Sequence, residues 1–78
     1  MKEAIETIIK LFVDNPDQVT VAEEEENDTF QYIIHAASED IGKIIGKEGK
    51  VIRAIRNIMK IKAIKDNTRI HISIANNT

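Results

Sequence analysis

Cysteine and tryptophan are absent from this sequence, and proline, glycine and aromatic residues are scarce. Without cysteine, the chain cannot form a disulfide framework, a thiolate metal site or a cysteine nucleophile. No apolar run approaches the roughly 20 residues that span a bilayer, and the first residues do not form a secretory signal. The 78 residues are enough for one domain with a modest core. We therefore expect a single cytoplasmic domain over residues 1–78, with Asn76–Thr78 as a short tail.

Charge is strongly separated along the chain, although the net charge is only −2. Residues 1–40 contain two basic and eleven acidic residues, whereas residues 41–78 contain nine basic and two acidic residues. This division predicts one surface region that attracts anions and another that repels them. The acidic run Glu23–Glu26 is typical of a solvated strand end that charge protects from edge-to-edge pairing.

The first half of the chain alternates between a helical and an extended pattern. Apolar residues at helical spacing predict a helix over residues 2–13, with one face formed by Ile5, Ile8, Ile9 and Phe12. The turn-forming segment Asp14–Asp17, which contains Pro16, ends it. Period-two alternation predicts a strand from Val19 toward Glu25 and a second over residues 30–35. With a turn at residues 26–28, these strands form an antiparallel hairpin.

The second half predicts two helices and a last strand. Ser38 caps a short helix over residues 39–45, which Gly46 ends, and a longer helix starts after Gly49 and ends before Asp66. The apolar face of the longer helix contains Val51, Ile52, Ile55, Ile58 and Met59, with Lys62, and its polar face contains Lys50, Arg53, Asn57 and Lys60. Residues 70–75 alternate as a strand. The order α-β-β-α-α-β predicts an α+β fold, a three-stranded sheet with three helices on one face.

The segment between these two helices has the composition of an anion-binding loop. Gly46 and Gly49 flank two charged residues and allow a tight backbone that another backbone can approach. The next helix starts there, so its free N–H groups and positive dipole end face any ligand. Lys43, Lys47 and Lys50 surround the opening, with Arg53 one turn further on. The sequence therefore predicts a site for a phosphate-bearing backbone, with Ile44, Ile45 and Ile52 either as a floor for bases or as core.

Other functional interpretations of these residues fail on spacing. A P-loop needs four residues between its glycine and Gly-Lys, then Ser or Thr, whereas Gly42 and Gly46 are separated by three and Glu48 follows Lys47. His35 and His71 have no metal-ligand partners at usable spacing, so we expect no metal and no cofactor. No catalytic arrangement stands out, and neither an enzyme nor a small-molecule substrate is expected. Phe30 and Tyr32 could stack bases, but their alternation favours packing against the helices.

The run Ile44–Ile55 resembles the signature of KH domains, V/I-I-G-x-x-G-x-x-I-x-x-I. The KH module clamps single-stranded RNA at its GXXG loop. The element order resembles the type II KH arrangement, and the size and the segment Gly42–Gly49 resemble the small bacterial KhpA (YlqC) family. This resemblance implies RNA binding, an RNA-chaperone or post-transcriptional role, and a homodimer or a heterodimer with a KhpB-like protein. It also links the chain to cell shape and division.

The resemblance also implies a set of RNA-binding residues. They are the loop and its flanks: Lys43, Ile44, Ile45, Gly46, Lys47, Glu48, Gly49, Lys50, Ile52 and Arg53. Glu48 departs from a purely attractive site, because it places a negative charge in the phosphate-facing loop, and we expect it to weaken binding relative to a neutral residue. A competing hypothesis from a different class is a protein-interaction module, in which the GXXG surface docks a second chain.

Overall fold

A mixed three-stranded sheet organises the fold in the computed structural model, which describes residues 2–75. The elements are α1 (Lys2–Lys10), a 3-10 turn (Pro16–Gln18), β1 (Thr20–Glu26), β2 (Thr29–His35), α2 (Ser38–Ile45), a second 3-10 turn (Lys47–Gly49), α3 (Lys50–Lys65) and β3 (Arg69–Ile74). This confirms the predicted α-β-β-α-α-β order. The predicted tail, Asn76–Thr78, lies outside the described residues.

The strand order is β1-β2-β3, so β1 and β3 are the two edges of the sheet. β1 and β2 are antiparallel and form the predicted hairpin, whereas β3 runs parallel to β2. Asn27 and Asp28 connect the hairpin with φ angles of 53° and 65°. A two-residue hairpin turn with both central residues at positive φ matches the twist of the strands, and Asn and Asp tolerate this conformation best after glycine.

The core lies between one face of this sheet and the helices. Register places Val21 beside Ile34 and Tyr32 beside Ile72, and all four side chains are buried. α1 packs on β1, α3 packs on β3, and α2 packs against α3. The helices supply the rest of the core through Ile5, Ile9, Ile44, Ile52, Ile55 and Met59. The three helices thus cover one face of the sheet, as predicted.

Three details of the predicted helices are wrong. α1 ends at Lys10 rather than at residue 13, because Leu11 and Phe12 donate to the carbonyls three residues back and tighten the chain. Phe12 is consequently 46% exposed. Ser38 is the first residue of α2, not its cap, since Ala37 occupies the cap position and no side chain caps it. Ile58 is 51% exposed because successive helical residues lie about 100° apart, which turns it away from buried Met59.

Asp40 joins the start of α2 to the segment after α1. Its buried carboxylate accepts hydrogen bonds from the backbone N–H groups of Asp14 and Asn15, at 3.2 and 3.0 Å, and from the Asn15 side chain at 3.1 Å. Burial acts to raise the pKa of Asp40, but these bonds and Lys43 outweigh it and hold the pKa below its ordinary value. The charged carboxylate therefore fixes α2, and with it the loop that follows.

Candidate nucleic-acid interface

The loop between α2 and α3 requires glycine at Gly46. This residue has φ 75° and ψ 174°, a region that L side chains rarely adopt. A Cβ there would lie 2.3 Å from Val51 Cγ2 and 2.9 Å from the Val51 backbone nitrogen. Gly49 is left-handed, with φ 75°, but has open space around it, and Glu48 between them is also left-handed, with φ 58°. Gly46 thus lets the backbone pass close to the first turn of α3.

The same loop leaves backbone donors available. Within the described chain, the N–H groups of Lys47 and Glu48 donate no hydrogen bond to backbone or side chain. α3 starts directly after them and has no acidic residue in its first turn. Free N–H groups, the positive end of a sixteen-residue helix and the exposed Lys47 and Lys50 meet at one place. Such an arrangement favours a phosphate group.

A basic face of α3 continues from the loop along the helix. It consists of Arg53, Arg56 and Lys60, which lie three and four residues apart and therefore share one side. All three are exposed. Arg53 also lies against the loop, where its Nη2 is 3.5 Å from the Glu48 carbonyl oxygen. The basic face therefore extends the positive charge of the loop along α3.

The basic face borders a groove between α3 and the free edge of β3. The groove has a volume of about 530 Å³. Its lining includes basic and apolar residues from both elements: Arg56, Lys60, Ile64, Arg69, Ile70 and Ile72. Arg56 bridges its two walls, because its Nε donates to the Ile72 carbonyl oxygen at 3.1 Å. The groove thus combines cationic groups, apolar surface and a strand edge, which an extended polyanion with flat apolar bases would match.

Comparisons with known proteins agree with this geometry. A family model described as "KhpA/KhpB, KH domain" matches residues 2–74. The chain belongs to the KhpA/KhpB family of KH-domain proteins. It is 42% identical to the RNA-binding protein KhpA of Clostridium acetobutylicum, over 95% of this chain and 99% of that protein, and 43% identical to the one of Chlamydia pneumoniae, over 95% of each. It is 34% identical to the one of Listeria monocytogenes, over 95% and 97% respectively. No solved structure was found to match it.

This KhpA/KhpB-type domain brings most of the predicted site residues together, at three different depths. Lys47, Glu48, Lys50 and Arg53 are exposed around the loop. Ile45 is 37% exposed beside it. Ile44 and Ile52 lie in the core, with 0% and 6% of their surfaces exposed, so any part they play in binding is to support the loop from beneath. Phe30 and Tyr32 pack against the core, as predicted, and burial raises the pKa of Tyr32 to about 12.

Lys43 has a different environment from the one predicted for a phosphate contact. Its ammonium group pairs with the Asp14 carboxylate and lies 3.8 Å from that of Asp40. The hydrogen bond to Asp14 is the main reason that the pKa of Lys43 is raised. Two carboxylates thus neutralise the charge of this lysine. Its ion pair with Asp14 holds α2 against the segment after α1. A phosphate contact by Lys43 stays a prediction, and one that requires these ion pairs to open.

Residues of the groove that sequence reasoning missed come from β3 and from Arg56. Alternation predicts Ile70 and Ile72 only as members of a strand, and Arg69 precedes that predicted strand. The spacing of Arg56 from Arg53 and Lys60 was the available signal, whereas its contact with β3 depends on the tertiary fold. Within residues 2–75, no group of His, Asp or Glu is placed to hold a metal ion. None of the helices in that range is long and apolar enough to cross a bilayer.

Proposed function

We propose that this domain binds single-stranded RNA, with the sugar-phosphate backbone over Gly46–Gly49 and successive bases in the groove between α3 and β3. One observation carries the proposal. The free N–H groups of the loop, the basic face and the groove form one continuous path along α3. The relatives named as RNA-binding proteins cover almost the whole chain, which supports the same conclusion. A single strand fits this path because its unpaired bases are free to leave the backbone and enter the groove.

Binding by one domain is expected to be weak and tolerant of sequence. The described lining of the groove contains isoleucines and the imidazole of His71 but no Phe, Tyr or Trp, so bases gain apolar contact with little stacking. Few cations face the RNA, and Glu48 offsets part of their charge. Brief, exchangeable contacts suit an RNA chaperone or a post-transcriptional regulator in the cytoplasm, and we propose that role rather than catalysis.

A substitution in the loop tests the proposal. Lys47 and Glu48 are replaced together by Asp, which tolerates the left-handed conformation at position 48. The variant should lose at least about tenfold in affinity for a single-stranded RNA at low salt, because two like charges repel the phosphates. Lys10→Asp, which makes the same change in net charge on α1, is the matched control and should bind like the unaltered protein.

Salt dependence tests the same mechanism independently. If about three phosphates are neutralised, the logarithm of the binding constant should fall against the logarithm of salt concentration with a slope near −2. Fluorescence anisotropy with a labelled RNA measures it between low and physiological salt. An affinity that does not change with salt, or equal binding by the double loop variant, would contradict RNA binding at Gly46–Gly49.

A second candidate function, self-association, is favoured by the outward face of α3. Ile58, Ile61 and Ile64 are 51%, 62% and 67% exposed on this face. Three large apolar side chains grouped on one exposed helix face are uncommon in a monomer and mark an interaction surface. This surface differs from the GXXG loop that the competing hypothesis named. We propose that it pairs with a second copy or with a KhpB-like protein, which would bring two weak RNA sites together and raise overall affinity.

A further inference from the structure

The free edge of β3 directs the backbone N–H and C=O groups of its even-numbered residues toward the groove. The N–H of Arg69 donates to the Asp28 carbonyl at 3.4 Å, and the N–H of Ala75 donates to the Ile34 carbonyl at 2.9 Å. Odd-numbered positions therefore direct their backbone groups toward β2. Because these groups alternate between the two sides of a strand, those of Ile70 and Ile72 point away from β2. Both residues line the groove, so their backbone groups lie where a base edge would be recognised.

Arg56 occupies one of these backbone groups. Its Nε donates to the Ile72 carbonyl oxygen at 3.1 Å. Within residues 2–75, the two terminal nitrogens of its guanidinium have no acceptor, and the side chain lines the groove. At this point of the strand edge, the guanidinium covers the carbonyl acceptor of Ile72 and presents its own N–H donors in its place. Guanidinium has donors only and stays charged at any physiological pH.

We propose that Arg56 makes the groove select bases whose exocyclic group at pyrimidine C4 or purine C6 is a carbonyl oxygen, uracil and guanine, over those in which it is an amino group, cytosine and adenine. This inference rests on the proposed function and deepens it. Uracil and guanine offer O4 and O6 as acceptors, whereas cytosine and adenine offer N4 and N6 amino donors at the corresponding positions. An amino group facing the covered Ile72 carbonyl meets the guanidinium donors and leaves hydrogen bonds unmade. A carbonyl oxygen at the same place accepts from them.

Arg53 shows what an arginine without this anchor does. It lies one turn nearer the loop on the same face, and its contact is with the Glu48 carbonyl in the phosphate-binding segment. It makes no hydrogen bond to the strand edge in the described chain, and it does not line the groove. Arg53 is thus placed for the backbone, which is the same in every RNA, and Arg56 is placed at the depth of the bases. The two residues carry equal charge, so one is a matched control for the other.

The test measures binding of the complete chain to four labelled RNA hexamers. Hexauridylate is compared with hexacytidylate, and a hexamer containing inosine is compared with the same hexamer containing adenine. Each pair matches ring size and exchanges the carbonyl oxygen at C4 or C6, with the neighbouring ring N–H, for an amino group and an unprotonated ring nitrogen. The unaltered protein should prefer the carbonyl member of each pair by roughly three- to tenfold, the range expected from one or two hydrogen bonds.

Substitutions then assign the preference to Arg56. Arg56→Ala should abolish or reverse it by uncovering the Ile72 carbonyl, whereas Arg53→Ala should weaken all four hexamers by a similar factor and keep both ratios. Arg56→Lys should recover overall affinity without recovering the full preference. Equal binding within each pair by the unaltered protein, or an unchanged preference in Arg56→Ala, would overturn this inference while leaving RNA binding intact. Failure of every hexamer to bind at low salt would overturn the proposed function as well.

Discussion

The two exposed sides of α3 carry opposite kinds of residue. The basic face consists of Arg53, Arg56 and Lys60 and borders the groove. The outward face consists of Ile58, Ile61 and Ile64. A surface helix is expected to place its charges on the side opposite the core. Here the side opposite the core carries these isoleucines, and exposed Lys62 and Lys65 lie four residues after Ile58 and Ile61. One helix therefore presents two surfaces, one basic and one apolar, which meet at Ile64 in the lining of the groove.

The largest effect should come from disturbing the loop that joins the basic face to α2. Gly46→Ala places a Cβ 2.3 Å from Val51 Cγ2 and strains the backbone, which should cost about 2–4 kcal/mol of unfolding free energy. A domain of this size has only about 3–5 kcal/mol to lose, so a large part of the protein should be unfolded at 37 °C. Urea denaturation followed by circular dichroism measures the loss.

Gly42→Ala is the matched control for that experiment. Gly42 lies inside α2, and nothing lies within 4 Å of the position where its Cβ would be. Alanine there should stabilise the protein by about 0.5–1 kcal/mol, because glycine is costly in a helix interior. If the two variants were equally stable, the backbone of the loop would not be constrained as the structure indicates.

A second, smaller effect should separate the two faces. Arg53→Glu with Lys60→Glu should lower RNA affinity at low salt by about 100-fold, through repulsion of phosphates, and leave self-association unchanged. Ile58→Lys with Ile61→Lys should weaken self-association by about tenfold or more and should not lower the affinity for an RNA short enough to occupy a single site. Anisotropy measures the first property and analytical ultracentrifugation the second.

Each double variant has its own control. Lys2→Glu with Lys10→Glu repeats the charge change on α1, and Leu11→Lys repeats the loss of an exposed apolar residue in the turn after α1. These controls should match the unaltered protein in both assays. Loss of both properties in either α3 variant would mean that the two faces act as one surface.

The fold was predictable because its signals are local. Alternation defined both hairpin strands, and the glycine pair at Gly46 and Gly49 defined the break between α2 and α3. The partners of Lys43 were not predictable, since Asp14 lies 29 residues away in the sequence and reaches Lys43 only when the segment after α1 folds against α2. The groove was only partly predictable. Basic residues at helical spacing indicated its α3 wall, but the role of Ile72 requires knowing that β3 is an edge strand.

Low pH should affect the basic face and the outward face of α3 together. Asp40 holds α2 in place, and α2 packs against α3. The pKa of this carboxyl is lowered in the folded protein, so its contribution to stability is present above its ordinary value of 3.8 and is lost as pH falls through the lower folded value. Asp40→Asn should lower the Tm at pH 6 by on the order of 5–10 °C. In thermal melts from pH 6 to pH 2, the Tm difference between the two proteins should shrink with acid. A constant difference would show that the charge of Asp40 is not what holds α2.

The smallest effect concerns Glu48, the acidic residue of the loop that we propose faces the phosphates. The carboxylate of Glu48 is exposed and makes no ion pair within the described chain. Glu48→Gln should therefore raise RNA affinity by about two- to threefold at low salt, the effect of removing one solvated negative charge several ångströms from a phosphate. Glu24→Gln removes the same charge from β1, the edge of the sheet opposite the groove, and should change affinity less. The gain should disappear in high salt, since both charges face water. A gain that persisted there would indicate that Glu48 acts on the shape of the left-handed turn instead of on its electrostatic potential.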